Sequence, residues 1–422
     1  MRLALSNELH ARPFPTITTP ARAAFLAVRH PDGAARDRSK DREQLDRLLE
    51  PYSVHNRPDA DGTHFFGQLG KRWLKWESHT EFVTYTIIAS GVAETPFDGS
   101  TFEMFPADWL ATMPGQRITS ALIRIEDAPD DEEDIKAKLN EWFIGESLAV
   151  SRVLDDEAVV ATDFRLDHCP HVRMAVFAKP SCGKRRLGRI IQRLAEIETY
   201  TKMSLLGLAM ARDLGRDLNR IEAEMTGLTA AMSDDATSGE TTLKSLLKVT
   251  GDLEALSTKS SFRFGATDAY AAIVNQRIKV MREERFLGRQ TIGEFMMRRW
   301  DPAMRTVTSA EKRLQRLTER GSRASNLLRT RVDVERSAQN QSLLESMDQR
   351  ADLQLRLQRT VEGLSVVAIS YYAVSLALYL MGPLEALIGL SKAWQAAIVT
   401  LPIFGLVYWM VQRIKDKLHK DP

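Results

Sequence analysis

Residues Gly363–Met381 read GLSVVAISYYAVSLALYLM and contain no charged side chain over 19 residues. A helix rises 1.5 Å per residue, so this run roughly matches the hydrocarbon core of a bilayer, about 30 Å thick. A second uncharged run of 19 residues, AWQAAIVTLPIFGLVYWMV, follows at Ala393–Val411. Its internal Pro402 is tolerable because a neighbouring helix can satisfy the freed carbonyl. The two runs predict a transmembrane hairpin at residues 363–411. The alternative is a buried helical hairpin of a soluble protein, but soluble helices of this length normally carry a polar face.

The residues that flank the two runs predict their orientation. Positively charged residues accumulate on the cytoplasmic side of a membrane protein. The connecting loop holds only Glu385 and Lys392 as charged residues, whereas basic residues lie at both outer ends of the hairpin. We therefore expect a multi-pass protein of the inner (plasma) membrane with both termini in the cytoplasm, ending in a basic tail at residues 412–422. The outer basic residues are Arg356 and Arg359 before the first run and Arg413, Lys415, Lys417 and Lys420 after the second.

Upstream of the hairpin, apolar residues recur three or four positions apart, which is typical of amphipathic helices. This pattern predicts a helical domain at residues 183–302, with a polar break at Ser233–Thr242 and a further break at Gly265. Asp301 and Pro302 suit the start of a new helix as N-cap and first-turn residues. Because no proline follows until after Met381, we expect this helix to run as a stalk, residues 303–362, into the first membrane span.

The predicted stalk has an unusually polar sequence. Apolar residues follow coiled-coil spacing only in patches, and residues 303–360 carry 12 Arg and Lys against 7 Asp and Glu, an excess of +5. Such a helix could lie near an anionic inner leaflet or pack on acidic neighbours. A simple solvated face is the alternative interpretation.

Residues 1–182 combine strand and helix signals in one run, which indicates an α+β domain. Seven segments are enriched in β-branched and aromatic residues, and two have helical patterns. The predicted fold is therefore an α+β cytoplasmic domain followed by long α-helices and a C-terminal two-helix transmembrane hairpin. The predicted strands are Ala21–Val28, Arg72–Trp76, Glu81–Ala89, Ala121–Ile125, Leu148–Val153, Ala158–Phe164 and Val172–Phe177, and the helices are Ser39–Leu49 and Ile135–Phe143.

Composition excludes several classes of protein. The 58 Lys and Arg nearly cancel the 56 Asp and Glu, so no global positive field indicates nucleic-acid binding. Two cysteines, Cys169 and Cys182, are too few for a disulfide scaffold and favour a reducing compartment. The Rossmann, Walker A and nucleophile-elbow motifs are absent from the sequence. We expect no enzymatic activity and no organic cofactor.

Two segments contain residue types that bind metals. DHCPH at Asp167–His171 offers His168, Cys169 and His171 as zinc ligands, although no second ligand pair follows at finger spacing. EDAPDDEED at Glu126–Asp134 could hold a hard divalent cation through oxygen ligands, but it lacks the glycine and the alternation of an EF-hand loop. The alternatives are an exposed loop for the first segment and solvated charge in the first turn of a helix for the second. The acidic candidates are Asp130, Asp131, Glu133 and Asp134.

A third candidate functional segment lies near the N-terminus. NELHARPFP at Asn7–Pro15 combines His10 and Arg12 with two prolines. Such an arm could dock on another subunit or bind an anion, whereas a lone histidine in an irregular segment also serves structural purposes.

Several long motifs make the chain resemble an uncharacterised bacterial family of predicted membrane-anchored proteins of unknown function. The resemblance covers nearly the whole chain and implies no catalytic residues. The motifs are NELHARPFP at 7–15, RLAEIETY at 193–200, FRFGATDAY at 262–270, RTRVDVE at 329–335 and LQLRLQRTVEGLSVVAISYY at 353–372.

The order of elements also resembles that of CorA-like divalent-cation channels, in which a cytoplasmic domain and a long helix precede two spans. The Tyr-Gly-Met-Asn signature that ends the first span in that family is absent here, so magnesium selectivity does not carry over. The resemblance implies a homo-oligomer, with a ring as one arrangement, whose first spans would line a pore. Polar or terminal residues of the first span are the candidate pore-lining set: Thr360, Ser365, Ser370, Ser375, Tyr379, Met381 and Gly382.

Three hypotheses follow for the function. The first is an oligomeric cation channel or transporter in the bilayer. The second is a non-transporting anchor or scaffold that displays a cytoplasmic domain to a partner. The third is a membrane-tethered metalloenzyme that uses His168, Cys169 and His171. Serine and threonine also hold membrane helices together, and the spans contain no acidic residue that would mark an ion path.

Overall fold

The computed structural model describes residues 14–30, 35–55, 57–58, 62–166, 169–232, 239–382 and 392–418. Within these ranges the N-terminal part forms one mixed sheet of nine strands. The strands are β1 (Ala21–Arg29), β2 (His64–Leu69), β3 (Arg72–Ser78), β4 (Phe82–Ser90), β5 (Gln116–Asp127), β6 (Ala149–Val153), β7 (Ala158–Thr162), β8 (Val172–Ala178) and β9 (Glu284–Arg285). Their spatial order is β2-β3-β4-β1-β5-β8-β7-β6-β9.

Strand β1 lies in the middle of this sheet, paired along its whole length with β4 on one side and β5 on the other. Its nearly continuous apolar run, ARAAFLAVR, suits a strand that is covered on both faces. Strands β5 and β8 run parallel, starting at Ala121 opposite Val172, while the other neighbouring strands in the described sheet run antiparallel.

Eight α-helices follow from the described ranges. The first three cover one face of the sheet, and the other five follow strand β8 in the chain. The bounds are α1 (Arg38–Leu49), α2 (Ala107–Ala111), α3 (Glu132–Trp142), α4 (Lys184–Ala231), α5 (Gly239–Met281), α6 (Ile292–Arg299), α7 (Asp301–Met381) and α8 (Lys392–Leu418).

The sheet separates two apolar layers because successive side chains of a strand point to opposite faces. Phe25 belongs to the same core as Leu194 of α4 and Phe295 of α6. Its neighbour Leu26 belongs to the core on the other face, together with Leu45 of α1 and Trp109 of α2. Helix α3 covers the β6–β8 part through a separate core. The sheet is therefore covered by the long helices on one face and by α1, α2 and α3 on the other.

Two glycines allow close approaches to helix α4. A Cβ on Gly188 would lie 1.7 Å from the carbonyl oxygen of Pro15, and one on Gly207 would lie 2.3 Å from Oγ1 of Thr267 in α5. After Gly207 in the chain, helix α4 shares a further apolar core with α5 and with the N-terminal part of α7. This core includes Leu218, Leu253 and Leu314. The glycines therefore set how closely α4 packs on the N-terminal segment and on α5.

The chain divides into two compact units, Met1–Ser325 and Asn326–Pro422. The first contains the sheet and its covering helices, and the second contains the remainder of α7 and helix α8. The predicted boundary at 182/183 falls inside the first unit, because α4 and α6 share one core with the sheet.

The predicted fold class is confirmed: a mixed α+β domain precedes long helices and an apolar C-terminal helix. All seven predicted strands are present, but β2 and the two-residue β9 were not predicted. The expected break at Gly265 is wrong, because α5 runs through it from Gly239 to Met281. Buried Phe264 and Thr267 hold the helix on both sides of the glycine, which offsets its weak helix propensity.

Candidate functional site

The second unit exposes an apolar stretch on each of its two helices, α7 and α8. The most apolar 18-residue stretch of α7 has a mean hydropathy of 1.8, and that of α8, within Ala393–Ile414, has 1.6. Only 6% and 11% of these stretches are buried. The core helix of a soluble protein would bury such residues, so composition and exposure together suggest association with a membrane. Both helices are long and apolar enough to cross one.

The exposed side chains on these helices include aromatic residues that suit a membrane interface. Pro402 lies inside α8, as the sequence predicted. Among the exposed residues are Leu364, Val367, Tyr371, Tyr372, Leu376, Tyr379 and Leu380 of α7 and Trp394, Ile398, Leu401, Phe404, Tyr408 and Trp409 of α8.

The candidate pore-lining residues do not form a single stripe along α7. Ser365, Ser370 and Ser375 are five residues apart, and at about 100° per residue each is rotated by about 140° from the last. Thr360 and Ser365 donate their hydroxyl protons to the carbonyls of Arg356 and Val361. These two hydroxyl groups therefore form hydrogen bonds with the backbone of their own helix.

The remaining candidates differ in environment. Ser370 is buried, and its Oγ has no hydrogen-bond partner among the described residues. Tyr379 is exposed, Met381 is the last residue of α7, and Gly382 follows it. A role of the set in lining a pore stays a prediction.

The zinc candidates are only partly described. His168 lies outside the described residues, as does Asp167. His171 is buried, with Nδ1 2.7 Å from Oγ of Ser120 and its ring 3.9 Å from that of Phe102. Burial, aided by the charge of Arg117, lowers the pKa of His171 to about 4. Cys169 packs against the apolar core that also contains Phe102. The described part of this motif therefore holds its histidine neutral inside the domain.

The acidic candidates surround the start of helix α3. Asp131 is its N-cap and accepts a hydrogen bond from the backbone N–H of Glu133 at 2.9 Å. Glu133 pairs with Lys136, and Asp134 is exposed in the first turn. Asp130, just before the cap, is exposed as well. These positions match negative charge to the positive end of the helix dipole.

Across the ranges that the structure describes, no group of three or more His, Cys, Asp or Glu side chains is placed to hold a metal ion. The hypothesis of a zinc or divalent-cation site stays a prediction. His10 and Arg12 of the N-terminal motif also lie outside the described residues. The last residue of that motif, Pro15, contacts helix α4 at Gly188.

A buried ionic cluster that the sequence did not predict lies at the turn between β3 and β4. Glu81 is 0% exposed, and both its carboxylate oxygens accept hydrogen bonds from the guanidinium of Arg263, one of them at 3.1 Å. The hydroxyl of Tyr270 donates to Oε2 of Glu81 at 2.8 Å. The rings of Phe82 and Tyr200 lie 5.7 Å apart beside the cluster. The turn is thereby tied to helix α5.

A second buried arginine holds the same turn from the side of α1. Arg36 donates to the carbonyl oxygens of His79 and Phe82, at 2.6 and 3.3 Å, and pairs with Asp41 at 2.8 Å. Two arginines from distant parts of the chain thus enclose the residues 78–82. The contact between Arg263 and Glu81 is bidentate and charge-assisted, so it fixes geometry as well as charge.

The electrostatic environment of the cluster indicates that its side chains hold the turn in place and do not transfer protons. Burial, the hydrogen bond to Glu81 and its negative charge all raise the pKa of Tyr270, so the phenol stays protonated. The motif FRFGATDAY carries a signal that was available: Arg263 and Tyr270 are seven residues apart, which is two helical turns and one face. Two of the motifs noted in the sequence, RLAEIETY and FRFGATDAY, therefore meet at this turn through Tyr200, Arg263 and Tyr270.

A family model described as Protein of unknown function (DUF3422) matches residues 1–418 of the chain. The chain belongs to this family. The resemblance to an uncharacterised family is thereby confirmed, and the family description assigns no activity. A search of the curated proteins finds no match. The likeness to CorA-like channels rests on the order of elements and stays a prediction.

Proposed function

We propose that this family member is a multi-pass anchor protein of the inner membrane, with both termini in the cytoplasm. Its two C-terminal spans would tether the N-terminal α+β unit, which would bind a partner without catalysing a reaction or binding nucleic acid. The observation that carries the proposal is the exposure of two apolar helices long enough to cross a bilayer. Lipid is the occupant that such surfaces require, because water would solvate them poorly.

Charge distribution supports this orientation. Basic residues flank the outer ends of the hairpin, at Arg356 and Arg359 and from Arg413 onward, while the connecting loop has one acidic and one basic residue. The positive-inside rule then gives two cytoplasmic ends and an external loop. The deep burial of the ionic cluster at Glu81 also favours a binding or scaffold role for the N-terminal unit, because the cluster is closed to a substrate.

Labelling of single cysteines in intact cells tests this topology. In a background in which Cys169 and Cys182 are replaced by serine, we expect Glu385→Cys to react with a membrane-impermeant maleimide from outside. We expect Lys420→Cys to react only after the cells are permeabilised. Labelling of Lys420→Cys in intact cells, or protection of Glu385→Cys, contradicts the proposed orientation.

The second candidate is a homo-oligomeric cation channel of CorA-like topology. The observation that favours it is the continuity of α7, a single helix from Asp301 to Met381 that contains the first apolar stretch. A closed ring would place that stretch around a common axis. Oligomeric state in detergent and cation flux into proteoliposomes separate the candidates. A ring that conducts supports the channel, and a monomer or two-fold dimer without flux supports the anchor.

A further inference from the structure

A cavity of about 270 Å³ lies where the segment after β7 meets helices α4 and α6 in the N-terminal unit. Its lining combines aromatic rings with three basic side chains. Ligand pockets in proteins have the same plan, a mostly apolar wall and a few convergent polar groups. The cavity is separate from the ionic cluster at Glu81.

The apolar wall of the cavity is formed by rings held in fixed positions. Phe164 and Phe295 stack with their centroids 4.9 Å apart and their planes 25° from parallel. Phe164 has a φ of 52°, an uncommon conformation for a bulky residue that the surrounding contacts must maintain. The indole N–H of Trp300 donates to Oγ of Ser204 at 2.9 Å, which fixes the third ring. The rings in the apolar wall are therefore held in place by contacts within the protein.

Three cationic side chains line the same cavity: Arg165, Lys202 and Arg299. Arg165 donates from Nε to Oγ of Ser147 at 2.7 Å, and the guanidinium of Arg299 lies 5.6 Å from the ring centre of Phe295. Lys202 lies 3.4 Å from the carboxylate of Glu198. Arg165 also lies 4.0 Å from the carboxylate of the exposed Glu146. The three cations outnumber these two nearby carboxylates, so the cavity favours a negatively charged occupant.

The carboxylate of Asp163, which lines the cavity, already has its charge compensated within the protein. Its Oδ2 accepts from Arg173 at 2.6 Å and from the backbone N–H of Ile144 at 3.4 Å, and its Oδ1 accepts from the backbone N–H of Arg165 at 3.3 Å. Asp163 is buried by these partners. It therefore compensates Arg173 and leaves the positive charge of the cavity wall in place.

Thr201 supplies a hydroxyl group that has no hydrogen-bond partner among the described residues. Its Oγ1 is buried, and Thr201 is one of the residues that line the cavity. Thr199, two residues earlier in α4, instead donates to the carbonyl of Ala195 at 2.8 Å, which is the usual arrangement in a helix. An unpaired buried hydroxyl costs free energy, and a ligand that bonds to it would recover that cost.

We propose that this cavity binds a small aromatic anion, a single planar ring that bears a phosphate or carboxylate group. The ring lies against Phe295 and Trp300, and the anionic group is held among the three cations with Thr201 Oγ1 as a further partner. The volume limits the ligand to about one ring with its charged group, since ligand pockets of about 300–1,000 Å³ hold larger molecules. The bound ligand contacts Trp300, which immediately precedes helix α7.

Calorimetric titration of the detergent-solubilised full chain with phenyl phosphate and benzoate tests this proposal. Inorganic phosphate serves as the anion without a ring, and titration into detergent alone corrects for partition of the ring into micelles. We expect dissociation constants below about 1 mM for the two aromatic anions and at least about tenfold weaker binding of inorganic phosphate.

Arg299→Gln and Arg298→Gln form a matched pair, because both remove one exposed positive charge from neighbouring positions of α6 and only Arg299 lines the cavity. We expect Arg299→Gln to weaken phenyl phosphate binding about tenfold or more, since the anionic group loses a charge-assisted hydrogen bond. Arg298→Gln should change it less than twofold. Thr201→Val, which keeps the shape of the side chain, should weaken it about threefold or more.

Two results overturn the proposal. One is that neither aromatic anion binds the wild-type chain below 10 mM, roughly the limit set for specific recognition of so small a ligand. The other is equal weakening by Arg299→Gln and Arg298→Gln, which would show a diffuse electrostatic effect in place of a site.

Discussion

Helices α4 and α8 are both rich in apolar residues, but they bury those residues to opposite extents. Leu194 of α4 is 2% exposed, whereas Leu401 of α8 is 79% exposed. In α4 the apolar side chains lie three or four positions apart and face the sheet. In α8 they surround the helix, and 11% of its apolar stretch is buried. One helix is covered by protein, and the other requires a different apolar environment, which a bilayer supplies.

The ionic cluster at Glu81 gives the largest expected effect within the buried unit. Arg263→Ala leaves the fully buried Glu81 without its counter-charge, and breaking such a pair costs about 3–5 kcal/mol. We expect a loss of this size in urea unfolding of the detergent-solubilised chain, followed by tryptophan fluorescence. A loss below about 1 kcal/mol would show that water reaches Glu81 and that the turn is not buried as described.

Matched truncations of leucine sharpen the comparison between the two helices. Leu194→Ala removes a buried side chain from the sheet–helix core and should destabilise the N-terminal unit by about 2–5 kcal/mol. Leu401→Ala should change the stability of that unit by less than about 0.5 kcal/mol. Unfolding of both variants under the same conditions measures the difference. Equal losses would mean that α8 belongs to a protein core.

The pH dependence of stability should reveal His171. Burial lowers its pKa to about 4, so below its ordinary value near 6.5 the unfolded chain takes up a proton that the folded chain does not. Its contribution is therefore complete above about pH 6.5 and is lost as the pH falls toward 4, with a loss of about 2 kcal/mol by pH 5.

His171→Gln removes this titration but keeps an acceptor for Ser120. The fall in unfolding free energy between pH 7.5 and pH 5 should thus be about 2 kcal/mol smaller in the variant than in the wild type. An identical fall in both chains would show that the pKa of His171 in the fold is not lowered from its ordinary value.

A partly exposed ion pair should give a much smaller effect than the buried pair at Glu81. Arg313 pairs with Glu222 between α7 and α4, and about a third of its side chain is exposed to solvent. Arg313→Ala should cost only about 0–1 kcal/mol, since water and salt screen such pairs. Urea unfolding at low and high salt checks this value. A cost equal to that of Arg263→Ala would remove the distinction between buried and exposed pairs.

Elements with a strong local pattern were predictable from the sequence. The strands β1, β4 and β5 and the two apolar runs carry their signals in composition and spacing alone. Strand β2 was missed because HFFGQL mixes polar residues and glycine in a strand at the edge of the sheet. Strand β9 is only two residues long and exists through its pairing with β6. Tertiary contact defines it.

The ionic cluster was not predictable, because its partners are distant in sequence. Glu81 and Arg263 are 182 residues apart, and Arg36 reaches the same turn from the segment that precedes helix α1. The sequence shows that a charged residue is present, whereas the burial of that residue depends on which distant segments pack over it. The motif spacing of Arg263 and Tyr270 predicts a shared face but not the carboxylate that they bind. The same limit applies to the cavity at Phe295, whose basic residues come from three separate segments.

Carbonate extraction of membranes from cells that express the full chain or a chain truncated after Glu362 tests the central claim most directly. Alkaline carbonate releases peripheral proteins and leaves spanning helices in the bilayer. We predict that the full chain stays in the membrane pellet, whereas the truncated chain, which lacks both apolar stretches, is recovered folded in the soluble fraction. Release of the full chain by carbonate, or retention of the truncated chain in the pellet, would contradict a hairpin anchor.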